Sequence, residues 1–127
     1  MMKPSKFHRS GAHLPVRNLR ETLDYYRDKI GFYEEWIFGD KDSGIRRDDM
    51  RLLFVEDPGY TATINNQTNR LSLMWFVDNI DEIFSEFKQR GIEIVSPLED
   101  YPYDLREFVF IDVNGYCIRV AEGIEKE

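Results

Sequence analysis

The sequence predicts an α+β fold: two βαβββ modules combined into a curved eight-stranded sheet with helices outside and a cleft inside. Three observations lead there. The segment Val16-Arg17-Asn18-Leu19-Arg20-Glu21-Thr22-Leu23 recurs 61 positions later as Val77-Asp78-Asn79-Ile80-Asp81-Glu82-Ile83-Phe84, the mark of an internal duplication. Both copies carry the same helix start and stop signals. After each stop come three short runs of strand-like composition. One four-stranded sheet with one helix leaves its second face bare, so two such units combine around a shared surface.

The elements follow in chain order. An apolar run ends at Val16, and Asn18 stands where an N-cap side chain accepts a backbone N–H, with Glu21 completing a capping-box pattern. Leu19, Leu23, Tyr26 and Ile30 form one helical stripe, and Gly31 stops the helix. Strands are expected over 32–38, 45–48 and 51–55. Pro58-Gly59 and the polar stretch Asn65-Asn66-Gln67-Thr68-Asn69 read as the connection. In the second module Ser72, Met74 and Phe76 alternate on one face of the fifth strand, with Leu73, Trp75 and Val77 toward the helix. Asn79 is the expected N-cap of a helix with Ile80, Ile83, Phe84 and Phe87 on its stripe, and Gly91 ends it. Strands are then expected over 92–95, 106–112 and 116–121. The whole of 1–127 is one domain, with module one at about 8–57, the linker at about 58–69 and module two at about 70–122.

Composition limits the function. The chain has 127 residues, 42% of them hydrophobic and 14% aromatic, which suffices for a core. Its 17 Lys+Arg against 24 Asp+Glu leave a formal net charge of −7. No basic cluster exceeds Arg46-Arg47, so nucleic acid is a poor partner. The longest apolar stretch, Leu73 to Val77, is far short of the roughly 18 residues of a membrane span. The N-terminal residues Met1-Met2-Lys3-Pro4-Ser5-Lys6 have no apolar segment behind them, and the lone Cys117 permits no internal disulfide. A cytoplasmic location is the expectation.

The segments Leu14-Pro15-Val16-Arg17-Asn18-Leu19, Tyr25-Tyr26-Arg27-Asp28-Lys29-Ile30-Gly31-Phe32, Pro102-Tyr103-Asp104-Leu105-Arg106-Glu107-Phe108 and Asp112-Val113-Asn114-Gly115-Tyr116 resemble the vicinal oxygen chelate superfamily, also called the glyoxalase/bleomycin resistance/dioxygenase group. The likeness runs from about Gly11 to Glu122. Asp112 and Gly115 match that family's final tight turn, with Val113 where proline is usual. Enzymes of the family hold a divalent metal with His and Glu from both modules. The resemblance puts those positions on Gly11, Ser72, Arg119 and a residue near Leu53. Glycine has no side chain, serine is a poor ligand and arginine is a cation, so no metal cofactor is expected.

Within the superfamily the chain looks closest to the bleomycin resistance branch, on Pro102, Tyr103, Arg106-Glu107-Phe108 and Arg119 with Glu122. It departs at Asp104, where glycine is usual. The resemblance implies a metal-free binding protein of the antibiotic-resistance type, a homodimer that sequesters a bleomycin-like drug or another planar small molecule. The alternative is a metal-dependent lyase, isomerase or dioxygenase with an altered site, using His13 with Glu56 or Glu107.

A cleft of this kind needs flat apolar surfaces and a few orienting charges. The candidate ligand-binding residues are His13, Trp36, Phe38, Met74, Phe76, Tyr101, Tyr103 and Arg119, with Tyr101 and Tyr103 on the loop before the seventh strand. His13 reads first as a satisfied sheet histidine and second as a ligand contact, and Trp36, Phe38 and Tyr103 read also as core or dimer-interface aromatics. Trp75 and Phe108 read as core. Arg119 either pairs with an acid such as Glu107 or Asp112 or holds a carboxylate of the ligand. Asp48-Asp49 and Glu56-Asp57 read as solvated loop charges or as an acidic rim that draws in cations.

Overall fold

The computed structural model describes residues 2–125. Module one runs β1 (His13–Val16), α1 (Leu19–Tyr25), a π-helical turn (Tyr26–Ile30), β2 (Glu34–Phe38), β3 (Asp42–Arg47) and β4 (Met50–Glu56). Then come α2 (Pro58–Ile64) and module two: β5 (Ser72–Phe76), α3 (Ile80–Gln89), β6 (Ile94–Tyr101), β7 (Leu105–Ile111) and β8 (Cys117–Gly123). The α+β class and the two βαβββ modules are as expected. In each module the first strand pairs in parallel with the last, giving the orders β1-β4-β3-β2 and β5-β8-β7-β6.

The eight strands are not one hydrogen-bonded sheet in the chain but two four-stranded ones. Leu14, Val16, Ile45 and Phe54 from the first and Trp75, Phe108, Phe110, Ile118 and Val120 from the second lie in a single buried cluster with the helix residues Leu23, Tyr26, Ile80 and Phe87. Both sheets thus press their helix-bearing faces into one core. Tyr26 is the joint: its ring centroid lies 5.3 Å from Phe54 and 6.3 Å from Trp75. The opposite faces of both sheets therefore look outward, away from each other, where the sequence suggested one inward cleft. Alternation of apolar residues specifies which face of a strand is buried, not which neighbour buries it.

Hydrogen bonds lock the modules together around the β7–β8 turn. Arg17 N–H donates to Asn114 Oδ1 (2.9 Å), Asn114 Nδ2 to Thr22 Oγ1 (2.9 Å) and the Tyr116 hydroxyl to the Pro15 carbonyl (2.7 Å). The Tyr26 hydroxyl donates to Asp112 Oδ2 at 2.5 Å, while Asp112 Oδ1 accepts from Asn114 and Tyr116 N–H. Burial pushes the Asp112 carboxyl up to about 6, against these three donors that favour its charged form.

Local differences from the sequence reading have physical causes. Asn18 caps α1 as expected, accepting from Glu21 N–H at 2.9 Å. Asn79 does not cap α3: it sits at φ 57, and Glu122 instead accepts from Asn79 and Ile80 N–H at 3.0 Å each. Glu56 does the matching work in module one, accepting from Leu19 N–H at 2.9 Å. The expected linker contains α2, with Pro58 in its first turn and Asp57 as N-cap, a helix-start signal that the turn-like Pro58-Gly59 obscures. β6 runs on to Tyr101 through two register shifts around Pro97, which an edge strand with bulges tolerates. Tyr101 is accordingly in a strand, not a loop. Asp104 takes the left-handed conformation, φ 65, that glycine would adopt more easily. Among the described residues no helix is long and apolar enough to cross a membrane.

Candidate functional site

Strand register sorts the candidate residues onto the two outward faces. On module one His13, Leu53, Gly44 and Trp36 form one cross-strand row, and Pro15, Val55, Asp42 and Phe38 form the next. On module two Met74, Arg119 and Val109 form a row, beside Phe76, Ala121 and Glu107. Tyr101 ends the same face, opposite Leu105. All seven strand candidates lie on open faces, and Tyr103, in the β6–β7 turn, hydrogen-bonds to Glu107 on the second. The chain brings together His13, Trp36 and Phe38, and separately Met74, Phe76, Tyr101, Tyr103 and Arg119. It does not bring the two groups together. Trp75 and Phe108 are core, as expected.

The module-one face is built on a missing side chain. The Trp36 indole lies across Gly44 so closely that a Cβ there would overlap its ring. Sequence reasoning did not single out Gly44, although a glycine inside a strand often marks a close approach of this kind. The Arg51 guanidinium stands 5.8 Å from the Trp36 ring centroid, within cation–π range. Arg46 pairs with Glu34 and holds that carboxyl below its usual range. Phe38 is 68% exposed, and the His13 ring has no hydrogen-bond partner among the described residues.

On module two Arg119 chooses Glu107, not Asp112. Its Nε and Nη2 donate to Glu107 Oε2 (3.1 Å) and Oε1 (2.9 Å), a bidentate pair. Glu107 is 2% exposed and also accepts from the Tyr103 hydroxyl, which in turn accepts from Arg119 Nη2 at 3.2 Å. The hydrogen bond to Glu107 raises the Arg119 pKa above its ordinary value. Tyr101 and Tyr103 stack in parallel, centroids 5.4 Å apart at 11°. Phe76 is 64% exposed at the edge of the face. These surfaces are suited to stacking a flat molecule and orienting it by charge.

They are not suited to a metal. Gly11 lies before β1 with Leu53 Cδ1 3.5 Å from where its Cβ would be, so neither position offers a donor. Ser72 pairs with Cys117, and Arg119 carries a positive charge. Glu56 turns to the helix side to cap α1, off the face of His13, and Glu107 is held by Arg119 on the other sheet. Among the described residues no three His, Cys, Asp or Glu side chains cluster as a metal would require. Glu56 and Asp57, both capping helices, are not rim charges either.

Comparison with known proteins agrees with this architecture. The pattern of the Glyoxalase/Bleomycin resistance protein/Dioxygenase superfamily matches residues 8–120. Among solved structures, a bleomycin resistance determinant encoded on the transposon Tn5 superposes with TM-score 0.77 at 19% identity, covering 92% of this chain and 98% of that one. A glyoxalase/bleomycin resistance protein/dioxygenase from Nocardioides gives 0.75 at 17%, covering 98% and 89%. The bleomycin-binding protein of Streptomyces verticillus, solved with copper(II)-bleomycin, gives 0.73 at 20%, covering 97% and 100%. At these identities the likeness shows the fold. No curated protein matches the chain's sequence.

Proposed function

Because the chain belongs to the glyoxalase/bleomycin resistance protein/dioxygenase superfamily, and its metal positions carry no ligand side chains, we propose that it is a metal-free small-molecule binding protein. Its ligand is a bleomycin-like drug or another planar molecule, which it sequesters rather than transforms. The observation that carries this reading is the pair of open faces, each with exposed aromatics and a guanidinium, with Arg119 standing where the resemblance puts a metal ligand. Neither face is a cleft by itself. A homodimer that sets module one of one copy against module two of the other would close two equivalent clefts, each walled by Trp36 and Phe38 on one side and by Met74, Phe76, Tyr101 and Tyr103 on the other. The solved relative bound to copper(II)-bleomycin supports the ligand class, and two exposed apolar faces on one chain support the dimer.

Titration with bleomycin and with copper(II)-bleomycin tests the reading. Saturable quenching of Trp36 emission is expected at one ligand per chain, with the protein sedimenting as a dimer at micromolar concentration. No change with either ligand, a monomeric protein, or a stoichiometric metal in the purified protein would each overturn it.

A further inference from the structure

One concave site among the described residues touches the open faces only at Phe76. It is a pocket of about 290 Å³ on the helix side, where the β3–β4 turn of module one meets β5 and α3 of module two. Its floor is aromatic: Phe32, Trp75 and Phe87, with Phe32 and Trp75 centroids 5.8 Å apart. Its mouth carries three carboxylates, Asp48 and Asp49 from the turn and Asp78 from the loop before α3, and none of the three is in an ion pair among the described residues. Arg47, the cation among its described lining residues, is committed: its Nη1 donates to the Ile30 carbonyl (2.6 Å) and to Glu86 (2.8 Å), and its Nη2 to Glu86 (3.1 Å). The mouth is therefore net negative over an apolar, π-faced floor.

We propose that this inter-module pocket is a second binding site, specific for a small organic cation with one aromatic or apolar ring. The ring fits against the Trp75, Phe32 and Phe87 floor, and the ammonium head sits among Asp48, Asp49 and Asp78. Charge complementarity selects the occupant: an anion would meet three carboxylates, and a neutral molecule would gain only the floor. The volume lies at the lower end for small-molecule sites, so it admits a single-ring amine and excludes a drug-sized molecule. The head keeps one side to solvent, as the exposed aspartates require, while the ring gains from burial and from aromatic contact with the floor. Its walls are mainly the opposite faces of the same sheets, and Phe76 is the one candidate residue it shares with the planar-ligand face.

Phenethylammonium, with 2-phenylethanol and phenylacetate as neutral and anionic counterparts of similar size, tests the proposal on the full chain. The signal is Trp75 emission in a Trp36→Phe background, with amide shifts mapping the contact. Saturable binding of the amine is expected, with a dissociation constant on the order of 0.1–1 mM, at least about tenfold tighter than either counterpart and weakening with salt. Asp49→Asn with Asp78→Asn should weaken it about tenfold or more without changing the thermal midpoint or bleomycin titration. The proposal falls if the amine does not saturate by 10 mM, if the alcohol binds equally well, if shifts map to the His13 or Arg119 face, or if the double variant binds the amine unchanged. It falls equally if binding appears only after removal of residues 2–10, since the mouth would then belong to the chain's own basic tail.

Discussion

At Gly44 the absence of one methyl group decides where an indole lies. Trp36 occupies the space a Cβ would fill, so Gly44→Ala is expected to lift the ring off the sheet, shift its emission to the red and cost about 1–3 kcal/mol of stability by overpacking. Emission spectra and urea unfolding check both effects. An unchanged spectrum would mean that the indole does not rest there. Arg119 poses a different residue-scale question. Glu107 is almost fully buried, so Arg119→Met leaves its charge with only the Tyr103 hydroxyl and is expected to cost about 3 kcal/mol, the lower end for a buried pair because Arg119 itself is half exposed. Adding Glu107→Gln should recover part of that loss. If the double variant is less stable than Arg119→Met alone, the pair is not what holds this corner. Arg119 stood out in the sequence because an inward arginine needs a partner. The choice between Glu107 and Asp112 was not legible, since both acids lie near it along the chain and only β7–β8 register separates them.

The two modules share a device at the level of the element: the glutamate at the end of the last strand caps the helix that follows the first. Glu56 serves α1 and Glu122 serves α3. A carboxylate at a helix N-terminus satisfies orphan N–H groups and meets the positive end of the helix dipole. Glu56→Ala and Glu122→Ala are each expected to cost about 1–2 kcal/mol, with Glu122→Ala the larger because α3 has no side-chain cap of its own. Their effects should add to within about 0.5 kcal/mol, the caps lying in different modules. Chemical denaturation of both single variants and the double variant decides it, and a deficit well beyond additivity would show that the caps are coupled. The repeated asparagine, glutamate and glycine made both helices legible. The cap at Asn79 was misread because a pattern of residue types does not record φ. β6 was cut short because Val95-Ser96-Pro97-Leu98 reads as a strand ending, whereas bulges let it continue.

At the scale of the molecule, the Asp112 carboxylate sits where the modules meet. Its folded pKa, about 6, lies above the ordinary 3.8, so between those values the folded chain holds a proton that the unfolded chain has lost. Stability from this group is therefore full below about pH 4 and declines as pH rises through about 6, by up to about 3 kcal/mol. Relative to Asp112→Asn, the parent should lose stability over that window. Parallel pH profiles from thermal unfolding would refute this if the difference between the two chains did not change with pH. The two-module architecture was fully legible, because duplication, capping and strand composition are local signals. The outward orientation of the two faces was not, since it depends on contacts such as Tyr26 with Trp75 that no local pattern encodes.

The hydroxyl of Tyr116 closes on the carbonyl of Pro15, and the side chain of Asn114 on the backbone of Arg17. These contacts join the first strand to the last turn. During synthesis, at about 5–20 residues per second, the helix-bearing face of module one waits several seconds for the residues that cover it. Until module two emerges, the newborn half-chain exposes apolar surface that the folded chain buries, and the contacts of the β7–β8 turn are the last of this joint to form.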